Sequence, residues 1–488
     1  MLSAMYKDLH NGSHILLGWL MAFQLTLIMG CTGDSEVGQS SSTSQDNRPI
    51  LIDGGTVVVM DSAGTILKGG AVLVEGDRIA ALLEVDMPRP NGAILIDATN
   101  HLVIPGLINT HGHAAMSLLR GLTDDLPLLT WLNDYVFPAE AALVAPDFVY
   151  QGTLLSSIEM LKGGTTTFVD MYYFRDDIAR AAIDAGIRAV TGPHVIGFPA
   201  PDYSTPEASL ADAASFMEQY QNHPTVVPAV AVHALYTTPL AAVEAAFRLA
   251  ERYEAPFQIH VAEDSSEDAT VRELTGMGVI EALDSIDALR PGTILAHSIF
   301  LSDEDIKRLA GSGAGIAHNP QSNMKLGIAR AAPVAELLAA QIPVGLGTDG
   351  SASNNDLDLF DEMDTAAKIQ KFMLSDPAVL PAETVFRMAT MGGAKVLNLH
   401  DEIGSLEQGK RADIVLVDMQ RAGLTPLYRV YSHLVYAVRG SDVTTVVVNG
   451  RIVVRDRVIL TVDEAEVIEK ARTFGNQVQQ VMAGLGRQ

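Results

Sequence analysis

Cysteine occurs once in the 488 residues, at Cys31. A single thiol forms no intrachain disulfide and no thiolate metal site, so any metal ion must be held by histidine, aspartate or glutamate. Positive charge is also scarce: 33 lysines and arginines stand against 59 aspartates and glutamates, a formal net charge of −26. That balance argues against nucleic acid as a partner and favours neutral or cationic small molecules as substrates, besides its ordinary contribution to solubility. The apolar run from Ile15 to Met29 falls short of the roughly 20 residues of a membrane span and has the length of a signal-peptide core.

That run ends in Ile28-Met29-Gly30-Cys31, which resembles a bacterial lipobox, with Cys31 as the lipidated residue. Residues 32–47, rich in Ser, Gly, Thr and Asp, suit a flexible tether. The expected protein is a lipoprotein outside the cytoplasm that meets the membrane only through its anchor, with an uncleaved anchor helix as the alternative. The expected division is a signal peptide over 1–30, a tether over 31–48, one part of a β-sandwich over 49–105, a barrel over 106–403, and the rest of the sandwich with a terminal helix over 404–488.

From Ile50 to Ile104 the chain alternates in short strand-like runs, and the texture returns at Ala412 to Val417 and Val443 to Val458, where Asn449-Gly450 is a hairpin signal. Two sets of strands flanking a long middle predict one composite β-sandwich built from both ends of the chain. The middle predicts strands at Leu102–Ile108, Thr165–Met171, Arg188–Val195, Thr225–Val232, Pro256–Val261, Thr293–Ala296, Ala314–Ala317 and Pro343–Leu346. Helical stretches lie between them, as at Asp147–Leu161, Pro239–Arg252, Val271–Leu289 and Val334–Ala340, with more at Leu357–Phe372 and Ala382–Leu397. Eight β-α repeats are the count of an α/β (β/α)8 TIM-like barrel.

Polar residues gather at the ends of these runs. His111 and His113 follow the first, Asp170 the second, and His194, His233, His260, His297 and His318 the third to seventh, with Asp349 after the eighth. Barrel enzymes carry their chemistry at that end of the strands. His111, His113 and His260 offer three neutral nitrogens and Asp349 a carboxylate, a set suited to one catalytic Zn²⁺ that acidifies a water. Iron or another divalent metal accepts the same donors. A second metal is not expected: the carboxylated lysine common in binuclear barrels has no candidate, since Lys162, before the second strand, is the only lysine between His113 and His260. Glu263, in H-V-A-E, is placed for proton transfer beside the metal, and His297, in L-A-H-S, for a hydrogen bond to the reacting oxygen or amine. A surface glutamate and a satisfied core histidine are the alternatives.

The order H-x-H, H-x-x-E, H, D resembles the amidohydrolase superfamily. The longer strings P-G-L-I-N-T-H-G-H-A-A-M-S-L-L-R-G, V-F-P-A-E, F-V-D-M-Y, H-N-P-Q-S-N-M-K-L-G and G-L-G-T-D-G-S-A-S-N-N are similar to methylthioadenosine/S-adenosylhomocysteine deaminases and related s-triazine hydrolases. The resemblance runs from Ile50 to Val458. It implies metal ligands at His111, His113, His260 and Asp349, with Glu263, His297 and Asp349 handling protons. It further implies Glu140 at the ribose hydroxyls, His233 at the purine, and Trp131 and His318 on the substrate side, with Asn319 and Asn323 shaping the same loop. Dimers or larger assemblies are implied too.

The chain departs from relatives that hold the carboxylate of S-adenosylhomocysteine with arginines after the third strand: none occurs between Arg188 and Arg248. The expectation is hydrolytic deamination of a neutral 5′-substituted adenosine such as methylthioadenosine. The alternatives are deamination or dechlorination of another aminated ring (pterin, guanine type or s-triazine), and a non-catalytic surface binding lipoprotein.

Overall fold

The computed structural model describes residues 48–484 and 486. The Ile15–Met29 run, Cys31 and the 32–47 segment lie outside the described residues. Among those described, no helix is long and apolar enough to cross a membrane.

Strands β1 (Ile50–Val58), β2 (Ile66–Glu75), β3 (Arg78–Leu83), β4 (Ile94–Asp97) and β5 (His101–Pro105) build one side of a nine-stranded sheet. The other side comes from β16 (Ile414–Asp418), β17 (Val443–Val448), β18 (Arg451–Arg455) and β19 (Val458–Ile459). The two halves join where β5 and β16 pair antiparallel, from Pro105 opposite Ile414 to His101 opposite Asp418. The sheet then curls back on itself: Ile79 N donates to Lys410 O and Ala412 N to Asp77 O, both at 2.9 Å. Inside the curl Ile52, Val57, Val72, Ile79, Leu416 and Val447 form their own apolar core. The β17–β18 hairpin turns through Asn449 and Gly450, both at positive φ (50° and 76°), the geometry of a type I′ turn.

The second sheet is parallel and contains β6 (Leu107–Asn109), β7 (Thr165–Val169), β8 (Arg188–Thr191), β9 (His194–Val195), β10 (Val226–Pro228), β11 (Val230–Ala234), β12 (Phe257–Val261), β13 (Thr293–His297), β14 (Gly315–His318) and β15 (Val344–Leu346). The third and fourth expected strands are each interrupted, so ten segments make eight staves. Because β8 pairs with β10 and β9 with β11, these staves stay joined, and β15 pairs with β6 to complete the round. Nearly every strand position is buried on both faces, which is why the sequence reads as continuous apolar runs there.

Three further sequence expectations change. Leu102–Ile108 is two strands in two sheets: the chain crosses from one to the other at Gly106, whose N donates to Asp413 O at 2.9 Å while the next amide, Leu107 N, donates to Gly164 O at 3.0 Å. Any Cβ at Gly106 would sit 2.0 Å from Thr166 Oγ1, so only glycine passes. The expected helix Val271–Leu289 is two, Glu267–Thr275 and Val279–Ser285, because Gly276 at φ 80° ends the first in a left-handed cap. The last helix of the barrel layer, Ala382 onward, likewise breaks into Ala382–Arg387, a π-type turn Met388–Gly392 and Gly393–Val396.

The two sheets are tied by a buried ion pair. Arg188, at the start of β8, reaches Asp413 at 3.2 Å, both side chains about 5% exposed or less. Asp413 also accepts from Asn449 N at 2.7 Å, and Arg188 donates to Pro224 O at 2.7 Å. Removing one partner of such a pair strands a buried charge, which costs about 3–5 kcal/mol.

Candidate metal centre and active-site cavity

Each of the eight staves delivers a histidine or an acid to one end of the barrel. His111 and His113 leave β6 with ring centroids 4.9 Å apart. Asp349, just beyond β15, places Oδ1 3.5 Å from His111 Nε2 and 3.2 Å from His113 Nε2. His260, on β12, brings Nε2 to 3.2 Å from His111 Nε2. His111, His113 and Asp349 form one group of donors within 4.8 Å of each other, and His111, His260 and His297 form an overlapping one.

The chemistry of this donor set fits a divalent cation. His113 Nδ1 faces Met171 O at 2.6 Å and His260 Nδ1 faces His233 O at 2.7 Å. A carbonyl only accepts, so each Nδ1 carries its hydrogen and each Nε2 turns a lone pair inward. Converging lone pairs and a carboxylate oxygen repel in a buried site unless a cation lies among them. Burial pushes His111 down to about 4 and His260 well below the ordinary histidine range, keeping both neutral. Burial works to raise Asp349, but its hydrogen bonds with His111 and His113 hold it well below the usual carboxylate range. Burial also opposes a charge on His113, yet Asp349 overrides it and lifts that ring to about 9, so proton and metal ion compete for one place.

The ligands are braced from behind. Asp349 Oδ2 accepts from Ser322 Oγ at 2.7 Å and Ser353 Oγ at 3.0 Å, and Oδ1 from Gly350 N at 2.8 Å. Asp349 and His297 both sit at positive φ, 60° and 69°, a conformation costly for non-glycine residues and typical of sites where geometry is imposed. Ser322 and Ser353 had no signal of their own in the sequence beyond lying in the quoted strings.

Glu263 is buried beside the donors, and burial raises its carboxyl. Its Oε1 lies 3.6 Å from His297 Nε2, and its backbone amide donates to Glu267 Oε2 at 2.9 Å. His297 is oriented through Nδ1 by Asn323 Oδ1 at 2.9 Å, with Asn319 Nδ2 at 3.3 Å. Asn319 and Asn323 therefore act on His297. The structure thus brings Glu263, His297 and the four donors into one cluster.

A pocket enclosing about 620 Å³ of space, part of it open to solvent, lies beside them. One wall is the segment Leu128–Leu143, where a π-type turn, Leu132–Val136, interrupts the helix and sets Trp131, Phe137 and Glu140 against the cavity. Glu140 accepts from Tyr172 at 2.7 Å and lies 3.5 Å from the Tyr173 hydroxyl. Burial pushes its carboxyl up to about 7, against the pull of those hydroxyls. His233 lines the same wall, with Nδ1 2.9 Å from Thr237 Oγ1 and its ring 5.1 Å from that of His260. Tyr172 and Tyr173 were not singled out from the sequence, although they directly follow the strand-end Asp170 and Met171. Asp170 accepts from Ala114 N at 2.6 Å and so supports the turn after His113. His318 is buried and lines not the metal-side cavity but a second one, with Pro320, Asn323 and Met324. A strand-end position fixes where a side chain starts, not which side of the following helix, Pro320–Lys325, it lies on.

Residues 102–453 match the amidohydrolase family. The chain is 44% identical over 437 residues to the 5-methylthioadenosine/S-adenosylhomocysteine deaminase 1 of Syntrophus aciditrophicus, an alignment covering 89% of this chain and 98% of that protein. It is 41% identical over 428 residues to the 5′-deoxyadenosine deaminase of Methanothermobacter thermautotrophicus, covering 87% and 98%. Its fold is similar to the crystal structure of an adenosine deaminase from Xanthomonas campestris with bound zinc, with a TM-score of 0.85, 35% identity, and coverage of 88% and 98%. With the barrel, the His-His-Asp donor group and the match over most of its length, the chain belongs to the amidohydrolase family.

Proposed function

We propose that the protein hydrolytically deaminates an adenosine bearing a neutral 5′ substituent, such as 5′-methylthioadenosine, with zinc held by His111, His113, His260 and Asp349. The observation that carries this reading is the cavity beside the donors, which combines a buried acid at Glu140 and an imidazole at His233 with no lysine or arginine among its lining residues. Relatives named as deaminases of methylthioadenosine and 5′-deoxyadenosine support it.

When bound, the ion supplies Lewis acidity that makes water a competent nucleophile near neutral pH. Glu263 takes a proton from the incoming water and delivers it to the ring nitrogen beside the amine-bearing carbon; its burial-raised carboxyl suits a group that must hold a proton and give it back. His297, fixed by Asn323, hydrogen-bonds the tetrahedral centre from the side of Glu263. Asp349 takes the remaining proton from the added oxygen and passes it to the departing amine, and ammonia and the 6-oxo purine leave. Glu140 keeps free lone pairs beyond those used by the tyrosines and takes the ribose hydroxyls, while His233 meets the purine.

An ammonia-release screen over methylthioadenosine, 5′-deoxyadenosine, adenosine, S-adenosylhomocysteine, guanine, a pterin and an s-triazine tests the reading. Neutral-tailed adenosines are expected to exceed S-adenosylhomocysteine in kcat/KM by roughly 10- to 100-fold, the worth of a missing charge-assisted contact. No ammonia from any nucleoside defeats it, and turnover of a pterin or triazine instead moves the substrate to that class.

Glu140→Gln should raise KM for nucleosides roughly 10-fold and leave free bases unaffected. Because the Glu140 carboxyl lies at about 7, it is ionised above that pH and protonated below it. Wild-type nucleoside KM should therefore fall as pH rises through 7, and a glutamine variant should lose that dependence; an unchanged pH profile removes Glu140 from the ribose.

The lipid anchor at Cys31 and a location outside the cytoplasm are proposed from the sequence of residues 1–47 alone. Incorporation of a labelled lipid precursor into the wild type, lost in Cys31→Ala, is the expected result, and an unlabelled wild type removes the proposal.

A further inference from the structure

His194 lines the metal-side cavity, and neither of its ring nitrogens has a hydrogen-bond partner among the described residues. Every other histidine of that cavity has one: His113 on Met171 O, His233 on Thr237, His260 on His233 O and His297 on Asn323. Yet His194 is only 7% exposed, so bulk water does not replace the missing partners. Buried polar atoms left unpaired are expensive and uncommon, and in a cavity wall they mark capacity reserved for a ligand.

The backbone beneath the ring is fixed. β9 pairs with β11, His194 opposite Ala231, and the His194 carbonyl accepts from Ser209 Oγ at 3.0 Å. The ring lies 5.2 Å from that of Tyr173, whose hydroxyl is 3.5 Å from Glu140, and 6.2 Å from that of His233. It therefore stands between the acid given to the ribose and the imidazole given to the purine. Burial, and then the neighbouring His233, disfavour its charged form. A neutral imidazole offers one donor and one acceptor, which matches an alcohol hydroxyl and suits a carboxylate poorly.

We infer that His194 is a specificity residue that hydrogen-bonds a ribose hydroxyl of the nucleoside whose sugar Glu140 holds. The inference rests on the adenosine reading above. It adds a second sugar contact, from strand β9 rather than from the helix Phe137–Leu143 that carries Glu140, and makes this wall of the cavity a reader of the ribose.

The test compares His194→Phe, which keeps a ring against Tyr173 and removes both nitrogens, with wild type on adenosine and its 2′-, 3′- and 5′-deoxy analogues. His194→Leu is the smaller replacement if phenylalanine does not fold, and His194→Gln restores a donor and an acceptor. Metal content and melting temperature are measured on each. The expected result is a roughly 3- to 10-fold loss of kcat/KM on adenosine, mostly in KM, the size of one neutral hydrogen bond. One deoxy analogue, the one lacking the paired hydroxyl, should show no further loss on substitution, and glutamine should recover part of the adenosine activity. No loss on any nucleoside, as for a ring that meets only water, overturns the inference, and so does an equal loss on all four. Wild type that releases no ammonia from any of them overturns the adenosine reading and this inference with it.

Discussion

Asp349→Asn is expected to bind metal more than about 100-fold more weakly, exceeding the loss caused by removing only a ligand's outer-shell partner, and to lose turnover on the order of 10³-fold or more. The reason is electrostatic. Among the four proposed ligands Asp349 alone is anionic, and its Oδ1 lies within 3.5 Å of both His111 Nε2 and His113 Nε2. Asparagine keeps the size, and Ser322 and Ser353 can still donate to its amide oxygen, so only the bond from Gly350 N is given up. Elemental analysis and ammonia release on the purified variant are the measurements, with added zinc as the control. A folded variant that retains stoichiometric metal and more than a tenth of the activity contradicts the ligand assignment.

Glu263→Gln should part from that behaviour. Here metal content stays at the wild-type level and kcat falls roughly 10²- to 10⁴-fold, the range for losing a positioned general acid-base, while KM changes little. The carboxyl is buried and 3.6 Å from His297 Nε2, whereas its contact with Glu267 uses the backbone amide. Glutamine thus preserves the backbone anchor and removes only the ability to carry a proton. A drop in kcat smaller than 10-fold would show that another group moves the proton.

The barrel was readable in the sequence because its strands are buried on both faces and so appear as short apolar runs, each ending in a polar residue. The metal cluster was readable for a related reason: His111-Gly112-His113, His260 and Asp349 all stand at or just beyond strand ends. What the pattern did not carry is direction and interruption. Leu102–Ile108 is uniformly apolar, so nothing in its hydropathy marks the passage between two sheets at Gly106. The π-type turn at Leu132–Val136 has no periodicity to distinguish it from the helices either side, although it sets the wall that holds Trp131 and Glu140. His318 and His194 occupy equivalent places at strand ends, yet one lies in a separate cavity and the other faces the metal-side one. Tyr172 and Tyr173 read as ordinary aromatics until the fold lays them against the Glu140 carboxyl.

The junction of β5 with β16 also sets an order of assembly. Pro105 leaves the ribosome about 300 residues before its partner Ile414, so throughout synthesis β5 is an open strand edge, a template for pairing with other chains. Loops this long close slowly. Arg188 waits 225 residues for Asp413, holding a charge at the foot of the barrel that only the late segment neutralises. The sheet started first is therefore finished last. A premature stop before residue 413 damages the earliest part of the chain as much as the latest, and a helper that shields β5 has the whole elongation of the barrel in which to act.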